Sequence, residues 1–246
     1  MASRPGGAGK LWLLGAGPGA ADLLTVRAAR AVGEADIVVW GKSLMNDGVV
    51  EEYARPEAEL VPWPPATNAD IHAVYDRAAA EGLVVARLLW GDPALFGSVR
   101  EEVRGARRRG MGYEIVPGIS AFNAAAAALA IDLTIAPGSS RPLVLTQARG
   151  EPVKIRSLAG HGATMAIFMI GERAEELQRE LIAGGYDAAG PCAIAHRLTR
   201  DGGDVVVRCR LDELSATVAA RELDRNSLVI VGPALDEEGP EFKAPQ

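Results

Sequence analysis

Apolar runs alternate with stretches of helical periodicity along the first half of the chain. The pattern predicts strands near 11–15, 36–40, 58–61, 83–90 and 113–116, and helices near 22–33, 44–54, 69–81, 97–109 and 120–129. Continuously apolar strands joined by helical crossovers are typical of a parallel sheet that is covered on both faces. The first half is therefore expected to form one α/β domain.

The second half repeats this alternation after a break. Residues 134–143 (TIAPGSSRPL) are rich in Pro, Gly and Ser, which indicates a linker. Asp201-Gly202-Gly203 separates two alternating segments and indicates a hairpin turn, so the second sheet is expected to be mixed. The remaining pattern predicts strands near 143–147, 164–170, 192–198, 204–210 and 227–231, and helices near 173–183 and 211–222.

Together these patterns predict an α/β fold with two α/β domains, at 10–135 and 142–235. Residues 1–9 and 236–246 lack periodicity and are expected to be loose tails. A cleft between two domains is a common position for a small-molecule site, so we expect a ligand cleft there.

Charge and cysteine content narrow the range of partners. The 26 basic and 32 acidic residues are interleaved and give a net charge of -6, which argues against nucleic acid as a partner. The two cysteines, Cys192 and Cys209, form no metal-ligand spacing, so no metal site is expected. The apolar run near the N-terminus is short and broken by Gly and Pro, so we expect no membrane partner and a cytoplasmic protein.

The segment LWLLGAGPGAADLLT, Leu11 to Thr25, joins a strand to a glycine-rich turn and a helix. Gly15, Gly17 and Ala20 fit the loose dinucleotide fingerprint GxGxxG/A. That interpretation also needs an acidic residue at the end of the second strand, but this strand ends in Trp-Gly-Lys and Asp36 precedes it. Pro18 also lacks an amide donor for a phosphate. A turn that merely requires glycine is the other interpretation.

Two further loops follow predicted strands in the same way. LLWGDPALFGS places Gly91-Asp92-Pro93 at a strand end, and IVPGISAFNAAAAALA ends a strand in Pro-Gly before a helix begins near Ser120. The carboxyl ends of parallel strands share one edge of a sheet, where open α/β sheets bind ligands. The alternative for Gly91-Asp92-Pro93 is a plain turn capped by the aspartate.

These three loops, in this order, resemble the tetrapyrrole (corrin and porphyrin) methylase family. The family's segments GxGPGxxDLLTxxAxxxxxxADxV, GDPxxFG and VPGxSA stand here as GAGPGAADLLTVRAARAVGEADIVV, GDPALFGS and VPGISA. The ending NSLVIVGPAL is also similar, and the resemblance covers about residues 10–235. It implies a two-domain α/β homodimer that binds S-adenosylmethionine in a folded form in the cleft.

Within the family, three stretches are most similar to enzymes that methylate C-11 of precorrin-4 or cobalt-precorrin-4 in cobalamin synthesis. They are VPGISAFNAAAAALAIDLT, LAGHGATMAIFMIG and LVIVGPAL. The chain departs from that branch after the second strand, where Ala-Gly-Ser-Leu is common and Trp40-Gly41-Lys42-Ser43-Leu44 stands here, with Lys42 introduced.

The resemblance implies a set of cofactor contacts and no resident metal. Asp92 is the residue expected to make a polar contact near the charged end of the cofactor, with a turn cap as the alternative. Matching positions are Pro18, Gly91, Asp92, Leu95, Ser120, Ala121 and Met169, with Ala195 and Arg197 added from the second domain.

The implied acceptor carries carboxylate arms, which favour cationic partners. Lys42, His72 and Arg197 are the candidates, although isolated residues of these types are commonly solvated surface groups. One interpretation of Arg107-Arg108-Arg109 is long-range attraction of an anionic tetrapyrrole. The cluster directly precedes Gly110, however, and is more typical of cations that complement the negative end of a helix.

Three hypotheses follow from the sequence. The first is a C-11 methyltransferase acting on precorrin-4 or its cobalt form. The second is a relative that methylates C-2, C-17 or C-20, or uroporphyrinogen III. The third is a nicotinamide-dependent oxidoreductase or a tetrapyrrole binder without turnover. No acid/base pair on one element marks a general catalyst.

Overall fold

The computed structural model describes residues 8–42, 45–46, 48–136, 139–140, 142–149, 152–200 and 205–236. The chain divides into two compact units, unit 1 (Met1–Ala121 with Thr199–Asp201) and unit 2 (Phe122–Leu198 with Gly202–Gln246). The sequence placed the border later, between 135 and 142. The difference arises because the helix at 121–129 buries Ala125 and Leu129 in a core cluster of unit 2.

Unit 1 is built on a parallel sheet of five strands in the order β3-β2-β4-β1-β5. Its elements are β1 Lys10–Gly15, α1 Val26–Glu34, β2 Ile37–Trp40, α2 Gly48–Tyr53, β3 Glu59–Pro62, α3 Asn68–Glu81, β4 Val84–Leu89, α4 Val99–Arg108 and β5 Gly112–Val116.

The central strands of this sheet are buried on both faces. Leu14 and Ala86 pack in a cluster with α1 and α2, whereas Leu13 and Val85 pack in a cluster with α3 and α4. Apart from the buried Arg87 in β4, the inner positions of these strands are apolar on both faces, as is typical of parallel sheets, and the prediction for unit 1 is confirmed.

Unit 2 carries a mixed sheet of five strands in the order β11-β10-β12-β9-β8. Strands β8 and β9 are parallel, whereas β12 is antiparallel to both β9 and β10. The predicted turn at 201–203 lies outside the described residues. The elements are α5 Ala121–Leu129, β6 Ile135–Ala136, β7 Ser139–Ser140, β8 Leu143–Gln147, α6 Pro152–Ala159, β9 Thr164–Phe168, α7 Ala174–Ala183, β10 Pro191–His196, β11 Val205–Arg210, α8 Leu214–Ala220 and β12 Ser227–Val231.

The structure differs from the predicted elements in several places. The helix expected at 22–33 is a short 3-10 turn at Ala21–Leu23 followed by α1, because the Thr25 side chain accepts from the Ala28 amide and caps a new helix. Helix α6 was not predicted, although Pro152 at its first position and Gly160 after its end are the usual boundary signals. The predicted linker contains the short pair β6–β7.

Candidate functional site

The three glycine-containing loops leave neighbouring strands of unit 1. The GAGPG loop follows β1, the GDP loop follows β4 and the VPGISA loop follows β5, and the sheet places β1 between β4 and β5. Because all three strands are parallel, the loops lie at the carboxyl edge of the sheet. The sequence prediction that they meet on one edge is confirmed.

The backbones of the three loops are in direct contact. The Gly17 amide donates to the Gly91 carbonyl oxygen at 3.2 Å, and the Gly91 amide donates to the Gly17 carbonyl oxygen at 2.9 Å. A Cβ atom at Gly15 would lie 2.8 Å from the Gly91 oxygen and 2.5 Å from the Gly118 amide nitrogen. The glycines at positions 15 and 118 are therefore needed because the loops pack backbone to backbone.

Asp92 fixes two of these loops with one carboxylate. Its Oδ1 accepts from the Ala94 amide at 2.7 Å, and its Oδ2 accepts from the Gly118 amide at 2.9 Å. The first bond is the turn cap that the sequence analysis gave as the alternative. The second bond ties the GDP loop to the VPGISA loop, so Asp92 acts here as a cross-link.

The remaining unit 1 residues of the expected cofactor set surround this cross-link. A Cβ at Gly91 would meet the Ser120 Cα at 3.4 Å and the Ala121 amide nitrogen at 3.8 Å. Ser120 is 4% exposed, and Leu95 is half-buried and donates its amide to the Asp92 carbonyl. Pro18 lies half-buried in the first loop.

The first loop has few amides left for a phosphate. The amides of Ala16 and Gly17 donate to the carbonyl oxygens of Leu89 and Gly91, and the Ala20 amide donates to Thr199 Oγ1 at 3.1 Å. Pro18 has no amide proton, and α1 begins only at Val26. A dinucleotide site needs free amides at a helix start directly after the turn, so this geometry opposes that interpretation.

A segment distant in sequence closes the first loop, and sequence reasoning missed it. Besides the bond to Ala20, the Thr199 carbonyl oxygen accepts from Asn46 Nδ2 at 3.4 Å. A Cβ at Gly19 would lie 3.2 Å from both Thr199 side-chain and main-chain oxygens. Thr199 has φ 61°, which is the left-handed region that threonine rarely adopts. No local pattern in the sequence reports such a long-range contact.

Three expected cofactor residues belong to unit 2. Met169 follows β9 with φ 54° and is 37% exposed, and Arg197 follows β10 with φ 49° and is exposed. Both strands are antiparallel to β12, so these residues lie at the same edge of the unit 2 sheet. Strained left-handed residues are enriched at binding sites. Ala195 is different, because it is buried in the core and its backbone pairs within the sheet.

The surface of unit 2 beside Arg197 contains a depression of about 920 Å³. Its lining includes His196, whose Nδ1 lies 2.9 Å from Ser227 Oγ. Acidic and basic side chains mix along it, so the lining does not select one charge of ligand.

The candidate acceptor cations fall in different places. Lys42 is exposed two residues after the end of β2, at the same sheet edge as the three loops. The ring of His72 packs edge-on against the Tyr75 ring, with 6.0 Å between ring centres, between α3 and α4. The backbone carbonyl oxygen of His72 accepts from Arg109 Nη2. Arg109 also donates to the Gly105 carbonyl oxygen in the last turn of α4, which confirms the helix-end interpretation of that cation.

A buried charged network lies on the α3–α4 face of unit 1. Arg87 is 6% exposed, and its Nε lies 3.7 Å from Glu102 Oε1, while Tyr75 donates to Glu102 Oε2 at 2.9 Å. Burial raises the pKa of Tyr75 well above its ordinary value, and the negative charge of Glu102 adds to that rise. Tyr75 therefore stays a neutral donor.

The described residues provide neither a cluster of metal ligands nor a helix that could span a membrane. No group of three or more His, Cys, Asp or Glu side chains in the described ranges is placed to hold a metal ion. None of the helices described is long and apolar enough to cross a membrane.

The chain is similar to known proteins over most of its length. The chain is 33% identical to a cobalt-precorrin-4 C(11)-methyltransferase of Methanocaldococcus jannaschii, over 92% of this chain and 88% of that protein. It is 36% identical to a precorrin-4 C(11)-methyltransferase of Rhodococcus erythropolis, over 93% of both.

Solved structures are similar over the same length. An X-ray structure of a cobalt-precorrin-4 methyltransferase matches with a TM-score of 0.85 and 30% identity, covering 92% of this chain and 96% of that one. A uroporphyrin-III C-methyltransferase from Thermus thermophilus, complexed with S-adenosylhomocysteine, matches with a TM-score of 0.75 and 28% identity, covering 92% and 93%. Residues 10–215 match the model of one family, and the chain belongs to it: the tetrapyrrole (corrin/porphyrin) methylases.

Proposed function

We propose that this chain transfers a methyl group from S-adenosylmethionine to C-11 of precorrin-4 or cobalt-precorrin-4 in cobalamin biosynthesis. The observation that carries the proposal is the backbone contact of Gly15, Gly91 and Gly118, which joins the three family loops at one sheet edge. Relatives over 30% identical are named for both the cobalt-free and the cobalt-bound acceptor, so the proposal includes both.

The residues at this edge fit the cofactor chemically. Ser120 brings a buried hydroxyl beside Gly91, and Leu95 brings a half-buried apolar side chain. S-adenosylmethionine, when bound, supplies a sulfonium methyl group that is already electrophilic. The protein then needs only to position the two reactants, which can lower the barrier by several kcal/mol without a catalytic triad.

The proposed contacts follow from the loops and the resemblance. Lys42 and Arg197 are proposed to pair with acceptor carboxylates, and His72 is the weakest candidate because its ring packs on Tyr75. The proposed cofactor contacts are Pro18, Gly91, Asp92, Leu95, Ser120 and Ala121 in unit 1, and Met169 and Arg197 in unit 2. Ala195 is the weakest candidate of the set, because it is buried in the core and its backbone pairs within the sheet.

Isothermal titration with S-adenosylhomocysteine, and with NADH in a parallel cell, tests the cofactor. We expect S-adenosylhomocysteine to bind and NADH to give no heat. Binding of NADH alone would overturn the proposal in favour of an oxidoreductase.

The acceptor position needs a separate experiment. Each candidate reaction adds one methyl group, so product mass does not distinguish them. We expect a carbon-labelled methyl group to appear at C-11 in the product NMR spectrum. A label at C-2, C-17 or C-20 would assign the chain to another branch of the family.

We further propose a cytoplasmic homodimer, as the family resemblance implies. Light scattering is expected to give twice the 25.8 kDa chain mass. A mass of one chain would contradict the dimer, and recovery of the native protein in a membrane or exported fraction would contradict the location.

A further inference from the structure

Two indole rings stand beside the GDP loop at the carboxyl edge of unit 1. Trp63 directly follows β3 and Trp90 directly follows β4, and their ring centroids lie 5.3 Å apart with the planes tilted by 37°. The backbone fixes Trp63, because its amide donates to the Trp40 carbonyl oxygen at 2.7 Å and its own carbonyl accepts from the Lys42 amide at 3.1 Å. We call Trp63 and Trp90 the indole pair.

Part of this pair is open to solvent. Trp90 is 37% exposed although it directly precedes Gly91, the glycine that contacts the other two loops. A partly exposed indole at the edge of a binding loop offers an apolar face that a flat ligand can cover. The position of Trp90 therefore fits a ligand that brings an apolar face of its own.

Gly41, the residue directly after β2, makes room for Trp90. A Cβ atom at Gly41 would overlap the Trp90 Nε1 atom and lie 2.8 Å from Cε2. The lack of a side chain at Gly41 and the position of the Trp90 indole are therefore physically coupled.

Two cations lie beside Trp63, one of them buried and ion-paired with Glu102 and the other exposed. The Arg87 Cζ atom lies 5.4 Å from the centre of the Trp63 ring, and Arg87 Nε and Nη1 have no hydrogen-bond partner in the described part of the chain. Lys42 is exposed, and its backbone amide donates to the Trp63 carbonyl oxygen. A flat conjugated ring with anionic edges matches an aromatic surface flanked by cations.

We propose that the indole pair is the stacking surface for the tetrapyrrole acceptor, with Trp90 as a specificity-determining contact that Gly41 makes possible. This inference rests on the proposed function, since it takes a tetrapyrrole as the acceptor. The occupant is a macrocycle with carboxylate arms, whose ring covers Trp90 and whose arms lie near Lys42.

Binding of uroporphyrin III, a stable flat macrocycle with carboxylate arms, tests the surface alongside binding of S-adenosylhomocysteine. In Trp90→Leu we expect uroporphyrin III to bind about tenfold more weakly, the effect of losing one aromatic stacking contact. We expect the affinity for S-adenosylhomocysteine to stay within about twofold of the parent protein, because the cofactor loops keep their backbone bonds.

Two further variants make the test specific. Gly41→Ala is expected to weaken uroporphyrin III binding by a similar factor, because the added Cβ displaces the Trp90 indole. The double variant Trp90→Leu/Gly41→Ala is expected to bind uroporphyrin III no more weakly than Trp90→Leu alone. Tyr113→Leu is the matched control, because Tyr113 is also 37% exposed, carries an arginine over its ring, and lies on the edge strand β5. This control is expected to bind both probes normally.

The outcomes separate the two proposals. Three outcomes would each overturn the indole-pair proposal alone. The first is unchanged uroporphyrin III binding by Trp90→Leu, and the second is an equal loss of uroporphyrin III affinity in Tyr113→Leu. The third is a parent protein that binds S-adenosylhomocysteine but not uroporphyrin III. No binding of S-adenosylhomocysteine by the parent protein would overturn the proposed function itself.

Discussion

At the scale of single residues, Asp92 shows how a motif residue can serve a site through geometry. The family resemblance predicts a polar cofactor contact, whereas the structure gives both carboxylate oxygens protein partners, the amides of Ala94 and Gly118. The two roles are compatible, because each carboxylate oxygen has a second lone pair. The carboxylate holds the loops in place whether or not it also touches the cofactor.

Removing that carboxylate is expected to loosen the loops. Asp92→Ala deletes two charge-assisted hydrogen bonds, and we expect at least about tenfold weaker binding of S-adenosylhomocysteine or slower turnover. Asp92→Asn keeps one acceptor oxygen, so its affinity and rate are expected to lie between those of the parent protein and those of Asp92→Ala. Titration calorimetry and initial rates measure both effects.

Asp187→Ala is the control for this prediction. Asp187 caps the Ala189 amide at 3.0 Å in the same two-residue pattern as Asp92, but in a turn of unit 2. It is expected to leave affinity and rate unchanged. Normal binding and turnover in Asp92→Ala would show that the cross-link contributes nothing to the site.

The cysteine pair provides a second prediction at this scale. Cys192 and Cys209 face each other across β10 and β11. A hydrogen bond from the Cys192 thiol lowers the pKa of Cys209 to about 7, and the same bond, together with burial, raises the pKa of Cys192 well above its ordinary value. Cys209 is therefore expected to be the reactive thiol.

Alkylation by iodoacetamide, followed by mass spectrometry, checks this expectation. The rate at Cys209 is expected to rise with pH through a midpoint of about 7, because only the thiolate reacts. In Cys192→Ala the hydrogen bond is lost and the midpoint is expected to move up. A midpoint that stays near 7 in Cys192→Ala would contradict the assigned cause.

At the scale of elements, the periodicity of the sequence predicted the strands of both sheets and the loops that follow β1, β4 and β5. It succeeded because buried parallel strands are short apolar runs that end at glycine. It missed the assignment of α5 to unit 2, which depends on the partners of Ala125 and Leu129. It also missed the Thr199 segment, because a hydrogen bond across 179 positions leaves no local pattern.

The close contact of the loops gives a prediction for the elements that carry them. In Gly118→Ala, the added Cβ would overlap the Gly91 carbonyl oxygen and lie 2.7 Å from the Gly15 Cα. Since backbone atoms on both sides cannot move independently, we expect a loss of about 1–3 kcal/mol in the free energy of unfolding. Urea unfolding measures that loss.

Gly112→Ala is the matched control on the same strand–loop unit. A Cβ at Gly112 meets only the Gly9 carbonyl oxygen, at 3.9 Å. The substitution is expected to change the free energy of unfolding by no more than about 0.5 kcal/mol. Equal stability of the two variants would mean that the loops tolerate the added atom, and that the glycine is not required for packing.

At the scale of the whole molecule, ligand binding and stability are linked. A ligand that binds only the folded chain at a concentration of 100 times its Kd adds about 2.7 kcal/mol to the free energy of unfolding. For a chain of 246 residues, each kcal/mol added to the free energy of unfolding raises the thermal midpoint of unfolding by roughly 2–4 °C. S-adenosylhomocysteine is therefore expected to raise the thermal midpoint by about 5–11 °C.

The same linkage separates the hypotheses for the glycine loops in one experiment. The amides of Ala16, Gly17 and Ala20 in the first loop are already bonded within the protein, so NADH is expected to leave the thermal midpoint unchanged. Asp92→Ala should reduce the shift caused by S-adenosylhomocysteine at the same concentration, because its Kd rises, whereas Asp187→Ala should keep the full shift. A shift with NADH and none with S-adenosylhomocysteine would mean that the loop amides rearrange to bind a dinucleotide, contrary to the hydrogen bonds described.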